Sequence, residues 1–381
     1  MYTIYADDQI LYSPILMQDV VDPADIGQYA VRNPKLTVEL NKAGSCSFVI
    51  SPTNMMYHRL HRLKTVIRVE EDGSELWSGR ILDTNDDYYN HKSCMCEGRL
   101  AFLNDSQVRP YYFTGTPAGL FEQMITNHNS RVDDWKQFKI GNCDITDGDV
   151  SNTNNQIIRY VTQYGTNSLQ EMTSKLWGSS LGGYVRIRKE SDGYYLDWMT
   201  EAGPVSDQII EFGENLLDLK KIVNTSNVFT IIIPTGKTEE SEGSEQQIVT
   251  IESVNDGKDY IESTAGISLF GRIEKVVEWE DVSLPENLLT KGNRALQEGI
   301  LSAITMECTA VDMRLLGVDV NSFRLGDRIR LVSVPHDIDE YFVCSKIEYD
   351  LERPQNNKYT LGAVVTSLTG RSASNAVIRG Y

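Results

Sequence analysis

The sequence has few of the residues that usually carry catalysis or cross-linking, and each shortage excludes a class of protein. Its 381 residues include 5 histidines and 6 cysteines. The cysteines, at positions 46, 94, 96, 143, 308 and 344, are too sparse for a disulfide framework, so we interpret them as buried thiols. No run approaches the roughly 20 apolar residues of a membrane span. The opening stretch MYTIYADDQILYSP has no basic or apolar signal region, so we expect synthesis in the cytoplasm without export.

Positive charge is also in short supply. The 36 Lys and Arg stand against 54 Asp and Glu, which gives a formal net charge of −18. Tight binding of DNA needs clustered Lys and Arg, and the sequence has no such cluster. Because 40% of the residues are hydrophobic, the chain can bury substantial cores, and its length predicts roughly two to four domains.

Turn residues between alternating apolar runs predict antiparallel strands in the first part of the chain. The turn from Asn41 to Gly44 separates the runs 35–40 and 45–50, which is typical of a hairpin. A second hairpin is predicted around Asp72 and Gly73, because tight turns need residues that tolerate positive φ. With a further strand over 93–100, these patterns predict a small barrel or sandwich for residues 1–106.

Helical spacing appears next, and with it an α+β pattern. A helix is predicted from Pro117 through Asn129, with an apolar face of Leu120, Phe121, Met124, Ile125 and His128. A second helix is predicted near Ser168, ending before Gly178, and a hairpin of 184–188 and 194–198 follows it. We therefore predict an α+β region over 107–208.

The run from Phe229 to Ile233 is rich in β-branched residues and predicts a buried strand that Pro234 ends. The preceding segment from Glu214 to Leu219 is interpreted as a short connection. Beyond Thr238 the sequence turns polar and acidic, which indicates that the chain leaves one domain. Pro285 opens a third predicted helix, and antiparallel strands are predicted over 304–308, 328–332, 341–344, 346–350 and 358–363.

These patterns together predict an α+β, strand-rich fold that is discontinuous in sequence. We expect the 229–233 strand to pair with strands after Ile304. The prediction has a first β-barrel-like tube domain at 1–106, an α+β peripheral domain at 107–208 and 238–303, a second β-barrel-like tube domain at 209–237 and 304–368, and a C-terminal tail at 369–381.

The candidates for metal binding are weak. His58 and His61 lack the i, i+4 spacing and intervening Glu of zinc proteases, so we interpret them as exposed basic residues above packed Tyr57 and Leu60. His336 is interpreted as a turn residue. A lone Cys94-x-Cys96 pair is read as core packing in preference to a metal pair. The run 144–149 lacks the fifth-position ligand and closing Glu of an EF-hand, which favours an Asx-rich turn over a calcium site.

The candidates for enzymatic chemistry are equally weak. Ser179 and Ser180 lack the Gly-x-Ser-x-Gly elbow, Glu239 and Glu240 lie in a predicted solvated loop, and no phosphate loop or dinucleotide fingerprint occurs. We therefore assign no catalytic, cofactor-binding or metal residue, and we expect no cofactor and no enzyme.

Several segments nevertheless carry a resemblance that extends over nearly the whole chain, in order. They are 41–48 (NKAGSCSF), 96–105 (CEGRLAFLND), 116–122 (TPAGLFE), 181–186 (LGGYVR), 195–197 (YLD), 209–237, 346–350 (KIEYD) and 357–362 (NKYTLG). In these segments the sequence resembles the tail-associated (Tal-like) baseplate-hub family, the tail-tip proteins of siphophages and prophages of Gram-positive bacteria.

The resemblance implies a function. In that family, two barrel-like domains per subunit form a pseudo-sixfold ring in the homotrimer and continue the tail tube, with the α+β regions outside or below. It implies a virion tail-tip location, contacts with the distal tail and tape-measure proteins and with receptor-binding or fibre proteins, and passage of genome DNA without specific binding.

Two alternatives remain open from the sequence. Longer members of the family carry a C-terminal cell-wall hydrolase, and the family is sometimes labelled an endopeptidase for that reason. Because the resemblance ends near Ser367, we expect no room for such a domain before Tyr381. A third class is a glycan-recognition surface built from Tyr88, Tyr89, Tyr111, Tyr112, Phe113, Tyr194, Tyr195 and Trp198.

Overall fold

The fold was analysed in a computed structural model that describes residues 1–19, 27–146, 155–179, 181–223, 228–239, 247–279, 282–301 and 304–364. Its N-terminal part is a run of antiparallel strands, as the hairpin patterns predicted. The elements are β1 (Tyr2–Ala6), β2 (Gln9–Tyr12), α1 (Pro14–Asp19), β3 (Arg32–Glu39), β4 (Ser45–Ile50), β5 (Val66–Glu71), β6 (Ser74–Asp86) and β7 (Lys92–Gly98). Both predicted hairpins are confirmed, and Asp72 and Gly73 have φ of 50° and 80° at the second turn.

A mixed region of helices and short sheets follows, and a 3-10 helix over Arg99–Asp105 leads into it. Its elements are β8 (Tyr111–Gly115), α2 (Pro117–Asn129), β9 (Lys139–Cys143), β10 (Ile157–Val161), α3 (Ser168–Lys175), β11 (Tyr184–Glu190) and β12 (Gly193–Met199). Helix α2 has the predicted bounds, because Pro117 occupies the first turn and the Thr116 hydroxyl accepts a hydrogen bond from the Gly119 N–H. β8 pairs with β10, and β12 pairs with both β11 and β9.

The chain next forms two strands, which an insertion separates from the C-terminal strands. The strands are β13 (Ile210–Glu211) and β14 (Leu216–Val223), and the insertion consists of β15 (Ile231–Thr235), β16 (Thr238–Glu239), β17 (Gln247–Ile248), β18 (Ile261–Glu262), α4 (Thr264–Phe270), β19 (Glu274–Glu278) and α5 (Pro285–Leu301). The chain ends in β20 (Ile304–Ala310), β21 (Arg328–Ser333), β22 (Ile338–Asp350) and β23 (Lys358–Val364).

Strands from both ends of the chain form one 13-stranded sheet, in the order β14-β20-β23-β22-β3-β4-β7-β6-β5-β1-β2, with β21 and β13 branching from β22. The joint is β22. Its first half pairs with β21, whereas residues 346–350 pair antiparallel with residues 35–39 of β3. A single hydrophobic cluster lies along the whole sheet, from Tyr2 to Leu361. The two strand sets are therefore continuous in both backbone pairing and core.

A tight corner separates β13 from β14. β13 pairs with β21, and a bridge between Phe212 and Leu216 links the end of β13 to β14. Asn215, which is 4% exposed, fixes this corner: its amide nitrogen donates to the Ile209 carbonyl at 2.9 Å, and its side-chain oxygen accepts from the Glu211 N–H at 2.8 Å.

Three predictions about these strands were wrong. The strand over Ile231–Thr235 does not pair with strands after Ile304; it pairs with β18 and β19 inside the insertion. The physical reason is local burial, since Ile232 packs with Phe229 and Leu296 in a small core of the insertion itself. Pro234 does not end the strand, and the 216–219 segment belongs to β14 rather than to a connection.

The insertion and the mixed region have separate cores. Residues from Leu100 to Trp198 form one cluster around α2 and α3, whereas residues 229–296 form two small clusters around α5. Although we expected 107–208 and 238–303 to form one peripheral domain, the hydrophobic clusters of the described residues do not join them. No helix in the described ranges is long and apolar enough to cross a membrane.

Candidate functional site

The contact that closes the sheet lies between β1 and β22. Tyr2 and Tyr349 meet edge to face with ring centroids 5.9 Å apart, and they are 2% and 3% exposed. The Asn357 amide donates to the Tyr2 hydroxyl at 3.3 Å. Because β3, β4, β7, β6 and β5 separate β22 from β1 along the sheet, this contact requires the sheet to curl back on itself.

A charge pair between a buried carboxylate and a half-exposed guanidinium lies beside this contact. Arg324 Nη2 is 2.6 Å from Glu71 Oε2 at the end of β5, and the Glu71 side chain is 4% exposed. The two charges lie close enough to pair, although their hydrogen-bond directions are poorly aligned. Removal of Arg324 would leave the buried Glu71 carboxylate uncompensated, so the pair fixes how β5 and the 322–327 segment approach each other.

A second polar cluster attaches the mixed region to the sheet. Arg80 on β6, 4% exposed, pairs with Glu97 at 2.7 Å and with Asp105, and Lys136 reaches Asp105 at 2.8 Å. Burial alone would raise the pKa of Asp105, but the hydrogen bonds from Arg80 and Lys136 outweigh it and lower that pKa. Asp105 therefore stays ionised and connects β6 to the segment after α2.

Arg99 makes the neighbouring connection to β12. Its guanidinium lies 3.5 Å from the centroid of the Tyr194 ring, and its Nε donates to the Ser78 hydroxyl at 2.8 Å. The Tyr194 hydroxyl donates in turn to Glu75 at 2.8 Å. Although burial lowers the pKa of Arg99, a guanidinium remains charged, so this cation–π contact holds the mixed region against β6.

The three histidines considered in the sequence analysis lie at the surface, in turns. His58 and His61 are exposed in a run of turns, above Tyr57 and Leu60, which are each 8% exposed. His336 lies in a short 3-10 turn, where its Nδ1 is 2.6 Å from the Ser333 hydroxyl. Exposed His58 and His61 above buried Tyr57 and Leu60 agree with the predicted packing, while the absence of a metal role stays a prediction.

The cysteines are free thiols in the strand cores. Cys94 and Cys96 lie on the buried face of β7, opposite Phe48 and Cys46 on β4. Burial raises the pKa of the Cys46 and Cys94 thiols to about 12, so thiolate ligands are disfavoured. Within the ranges that the structure describes, no group of three His, Cys, Asp or Glu residues is arranged to hold a metal ion.

Some of the remaining acidic and hydroxyl candidates lie outside the described residues. Asp144 accepts hydrogen bonds from the N–H and hydroxyl of Thr200 at 2.7 and 3.1 Å, while 147–149 are not described. The Ser179 hydroxyl donates to the Leu176 carbonyl at 2.6 Å. Ser180 and Glu240 lie outside the described residues, and Glu239 is in the short strand β16.

The aromatic residues proposed as a glycan surface do not form one surface. Trp198 is fully buried in the core of the mixed region, and Tyr111, Phe113 and Tyr194 pack against that core. Tyr88 and Tyr89, 92% and 73% exposed, lie at the tip of the β6–β7 hairpin. The expected grouping was wrong because strand alternation placed several of these rings inward.

Sequence reasoning missed one pair that has the chemistry of a nucleophile and a base. The Ser106 hydroxyl lies 2.7 Å from His128 Nδ1 and 2.6 Å from the Ser168 hydroxyl, and His128 Nε2 lies 3.3 Å from the Lys136 carbonyl. Ser106 and His128 are 2% and 0% exposed. Burial lowers the pKa of His128, so the ring is neutral and both of its nitrogens are satisfied inside the core. No spacing or motif in the sequence signals this pair.

Comparison with solved structures identifies the class of fold. The 43 kDa tail protein of prophage MuSo2 from Shewanella oneidensis has a TM-score of 0.60 at 13% identity, over 99% of each chain. The tail protein from Neisseria meningitidis MC58 has a TM-score of 0.63 at 14% identity, over 100% of this chain and 99% of that one. The Escherichia coli c3393 protein, a type VI secretion component described as structurally similar to the T4 tail proteins gp27 and gp5, has a TM-score of 0.50 at 10% identity, over 88% and 73%.

The chain therefore has the fold of prophage tail proteins. At the sequence level, residues 205–371 match the family model described as "Prophage endopeptidase tail". This segment of the chain contains β13, β14, the insertion and the C-terminal strands. No curated protein matches the chain.

Proposed function

We propose that the chain is a structural baseplate hub of a phage tail tip, in which three copies trimerise, extend or close the tail tube and form part of the DNA ejection conduit. The observation that carries the proposal is the pair of strand sets joined through β22 and β3. Two strand sets in each of three subunits give six around a ring, which matches a sixfold tube. The fold shared with prophage tail proteins supports the same role.

The strand order also offers a surface for assembly. β14 is the last strand of the large sheet, and among the described residues β20 is its one ladder partner. Leu217, 59% exposed, lies on β14. An unpaired edge with an exposed leucine is suited to contact with another chain, so we propose β14 as part of the subunit interface.

The proposed location is the virion tail tip, after synthesis in the host cytoplasm. There the distal tail protein and the tape-measure protein are the expected neighbours, with receptor-binding or fibre proteins outside them. A formal charge of −18 per subunit suits a conduit, because an acidic or neutral lining repels phosphate and leaves the genome free to slide. A lumen lined mainly by Lys and Arg, or tight binding of duplex DNA by the trimer at physiological salt, would contradict this part of the proposal.

The test is the mass of the full chain in solution, measured by sedimentation and native mass spectrometry, alone and with the distal tail protein. We expect a trimer. Leu217→Asp should weaken it without loss of folding, whereas Val276→Asp, at a 61% exposed position on β19, should leave it intact. A monomer that persists with the distal tail protein present would contradict the trimer, and a trimer unaffected by Leu217→Asp would exclude β14 from the interface.

A further inference from the structure

The two-stranded sheet of β8 and β10, which we call the β8–β10 ribbon, has one packed face and one uncovered face. Tyr111, Phe113 and Ile157 pack on the core of the mixed region, and on that side the Tyr111 hydroxyl donates to the buried Glu171 at 2.7 Å. Because side chains alternate along a strand, the residues between them point away from the core. These residues are exposed, and they are Tyr112, Thr114, Ile158 and Tyr160.

The uncovered face is largely apolar and already ordered. Tyr112, Ile158 and Tyr160 are 70%, 54% and 58% exposed. Tyr112 and Tyr160 are directly opposite each other in the ladder, and their rings stack with centroids 6.4 Å apart. Single exposed apolar residues are normal, whereas large ones grouped on one face mark an interaction surface. Because the two rings hold each other in place, docking costs them little rotamer freedom.

The charge of the ribbon also differs from that of the rest of the chain. None of the 54 Asp and Glu lies in residues 106–121 or 155–170, the two segments that contain the ribbon. The same segments contain Arg109 and Arg159. The Arg109 guanidinium lies 6.0 Å from the centroid of the exposed Tyr164 ring. The ribbon segments are therefore positively charged in a chain whose formal net charge is −18.

Both arginines keep donors for a partner. Arg109 donates to the Gln107 carbonyl at 3.2 Å, and Arg159 donates to the Ile158 carbonyl at 2.9 Å. A guanidinium has five N–H donors, so these bonds to the backbone of the ribbon leave donors on each side chain. Carboxylates are the acceptors that a guanidinium binds best. The two strands thus combine an apolar face with groups that attract an acidic surface.

We propose that the uncovered face of the β8–β10 ribbon packs against an acidic surface of a second copy of the chain. Two copies that each carry −18 repel each other, so contact costs least where one of them presents no carboxylates. Two ribbons packed face to face would bring their arginines together, which favours a contact between two different surfaces. Contacts of that kind close into a ring when the rotation between copies fits. The inferred contact rests on the proposed trimer and adds to the one at β14.

The test compares the full chain when dilute and when concentrated enough to assemble. Sedimentation gives the mass and the dissociation constant of the assembly, and hydroxyl-radical footprinting read by mass spectrometry reports the solvent access of each tyrosine. We expect Tyr112 and Tyr160 to lose reactivity on assembly. Tyr359, which is 1% exposed, gives the baseline for a tyrosine that is protected in either state.

A pair of substitutions separates charge from apolar contact. Ile158→Asp and Ile158→Lys remove the same exposed side chain and differ in the sign of the charge that they add. We expect Ile158→Asp to raise the dissociation constant about tenfold more than Ile158→Lys does. Ile140→Asp, at a 42% exposed position on β9, is the control and should leave the dissociation constant unchanged. The footprint of the unsubstituted chain does not depend on how these variants fold.

The outcomes for the ribbon and for the trimer are distinguishable. A trimer in which Tyr112 and Tyr160 stay as reactive as in the dilute chain would overturn the ribbon contact and leave the trimer proposal intact. Equal weakening by Ile158→Asp and Ile158→Lys would also overturn it, as would a chain that stays monomeric at every concentration. Protection of both tyrosines in an assembly of another size would support the ribbon contact and contradict the trimer.

Discussion

Tyr2, at the start of the chain, packs edge to face against Tyr349, near its end, with ring centroids 5.9 Å apart. Strands β1 and β22 on which they lie are not neighbours in the sheet. The contact exists because the sheet curls until β1 and β22 face each other across one core. It gives a direct test of whether that closure holds the fold together.

We expect Tyr2→Ala to lower the free energy of unfolding by about 3–5 kcal/mol, because it empties a buried aromatic site. Tyr2→Phe should cost about 1–2 kcal/mol, since it leaves the buried Asn357 amide without its acceptor. The measurement is urea unfolding followed by tryptophan fluorescence. Tyr88→Ala, at a 92% exposed position, is the control and should change little. Equal stability of Tyr2→Ala and wild type would mean that the curled sheet does not depend on this contact.

Ile232→Asp should unfold the insertion and leave the large sheet folded. Ile232 is fully buried in the small core of the insertion, so an unpaired carboxylate there costs several kcal/mol. Hydrogen exchange should lose protection over 228–301 while 304–364 stays protected. Val276→Asp, on the exposed face of the same sheet, is the matched control. If both regions lost protection together, the insertion would not be a separate cooperative unit.

Asp327→Asn should stabilise the protein near neutral pH. Burial raises the pKa of Asp327 to about 6, above the ordinary value of 3.8, and the residue is 7% exposed. A raised carboxyl pKa means that the folded state binds the proton more tightly, so this contribution is present below about pH 4 and is lost as pH rises through about 6. An asparagine avoids the buried charge and still accepts from the Arg324 N–H, a bond of 2.8 Å.

We expect that gain to reach at most about 3 kcal/mol at neutral pH and to vanish near pH 4, measured as thermal unfolding across that range. Asp339→Asn is a control for which we expect the opposite effect on stability, a loss at neutral pH. The hydrogen bond from Arg330 lowers the pKa of Asp339, so the contribution of this residue is present at neutral pH and is lost in acid. A gain for Asp327→Asn that persisted unchanged at low pH would contradict burial as the cause.

We expect Ser106→Ala to lower the free energy of unfolding. We expect neither the wild type nor this variant to hydrolyse cell wall. The substitution leaves His128 Nδ1 unpaired in the core, at a cost of about 1–3 kcal/mol. Purified protein incubated with Gram-positive peptidoglycan should release no soluble fragments, with or without the substitution. Ser130→Ala, at an exposed helix end, is the stability control. Release by the wild type that disappears in Ser106→Ala would favour the hydrolase alternative.

Local structure was largely predictable from residues close in sequence. The bounds of α2, the start of α5 at Pro285 and the hairpins around Asp72-Gly73 and Ser191-Gly193 follow from caps, turn residues and apolar spacing. Burial of Tyr57 and Leu60 beneath exposed histidines followed in the same way. Each of these features depends on side chains a few residues apart, which is the range over which a sequence pattern carries information.

Pairing was not predictable in the same way. The run around Ile231 has the composition of a buried strand, but composition does not say whether its partners are β18 and β19 or the strands after Ile304. Likewise, nothing near Lys35 or Asp350 indicates that β3 and β22 join the two strand sets. Alternation of apolar and polar residues with a period of two shows which side chains of a strand are buried, because alternation is a local property of the pleat. It does not show which strands are neighbours.

The sequence by itself thus determined the strand-rich, discontinuous α+β character of the chain, most of its helices and hairpins, and the scarcity of groups for chemistry. Only the tertiary structure decided the continuous 13-stranded sheet, the Tyr2–Tyr349 contact across its core and the buried Ser106–His128 pair. The physical reason is that these features join residues far apart along the chain. Their free energy comes from the packing of whole elements against each other, which local spacing does not encode.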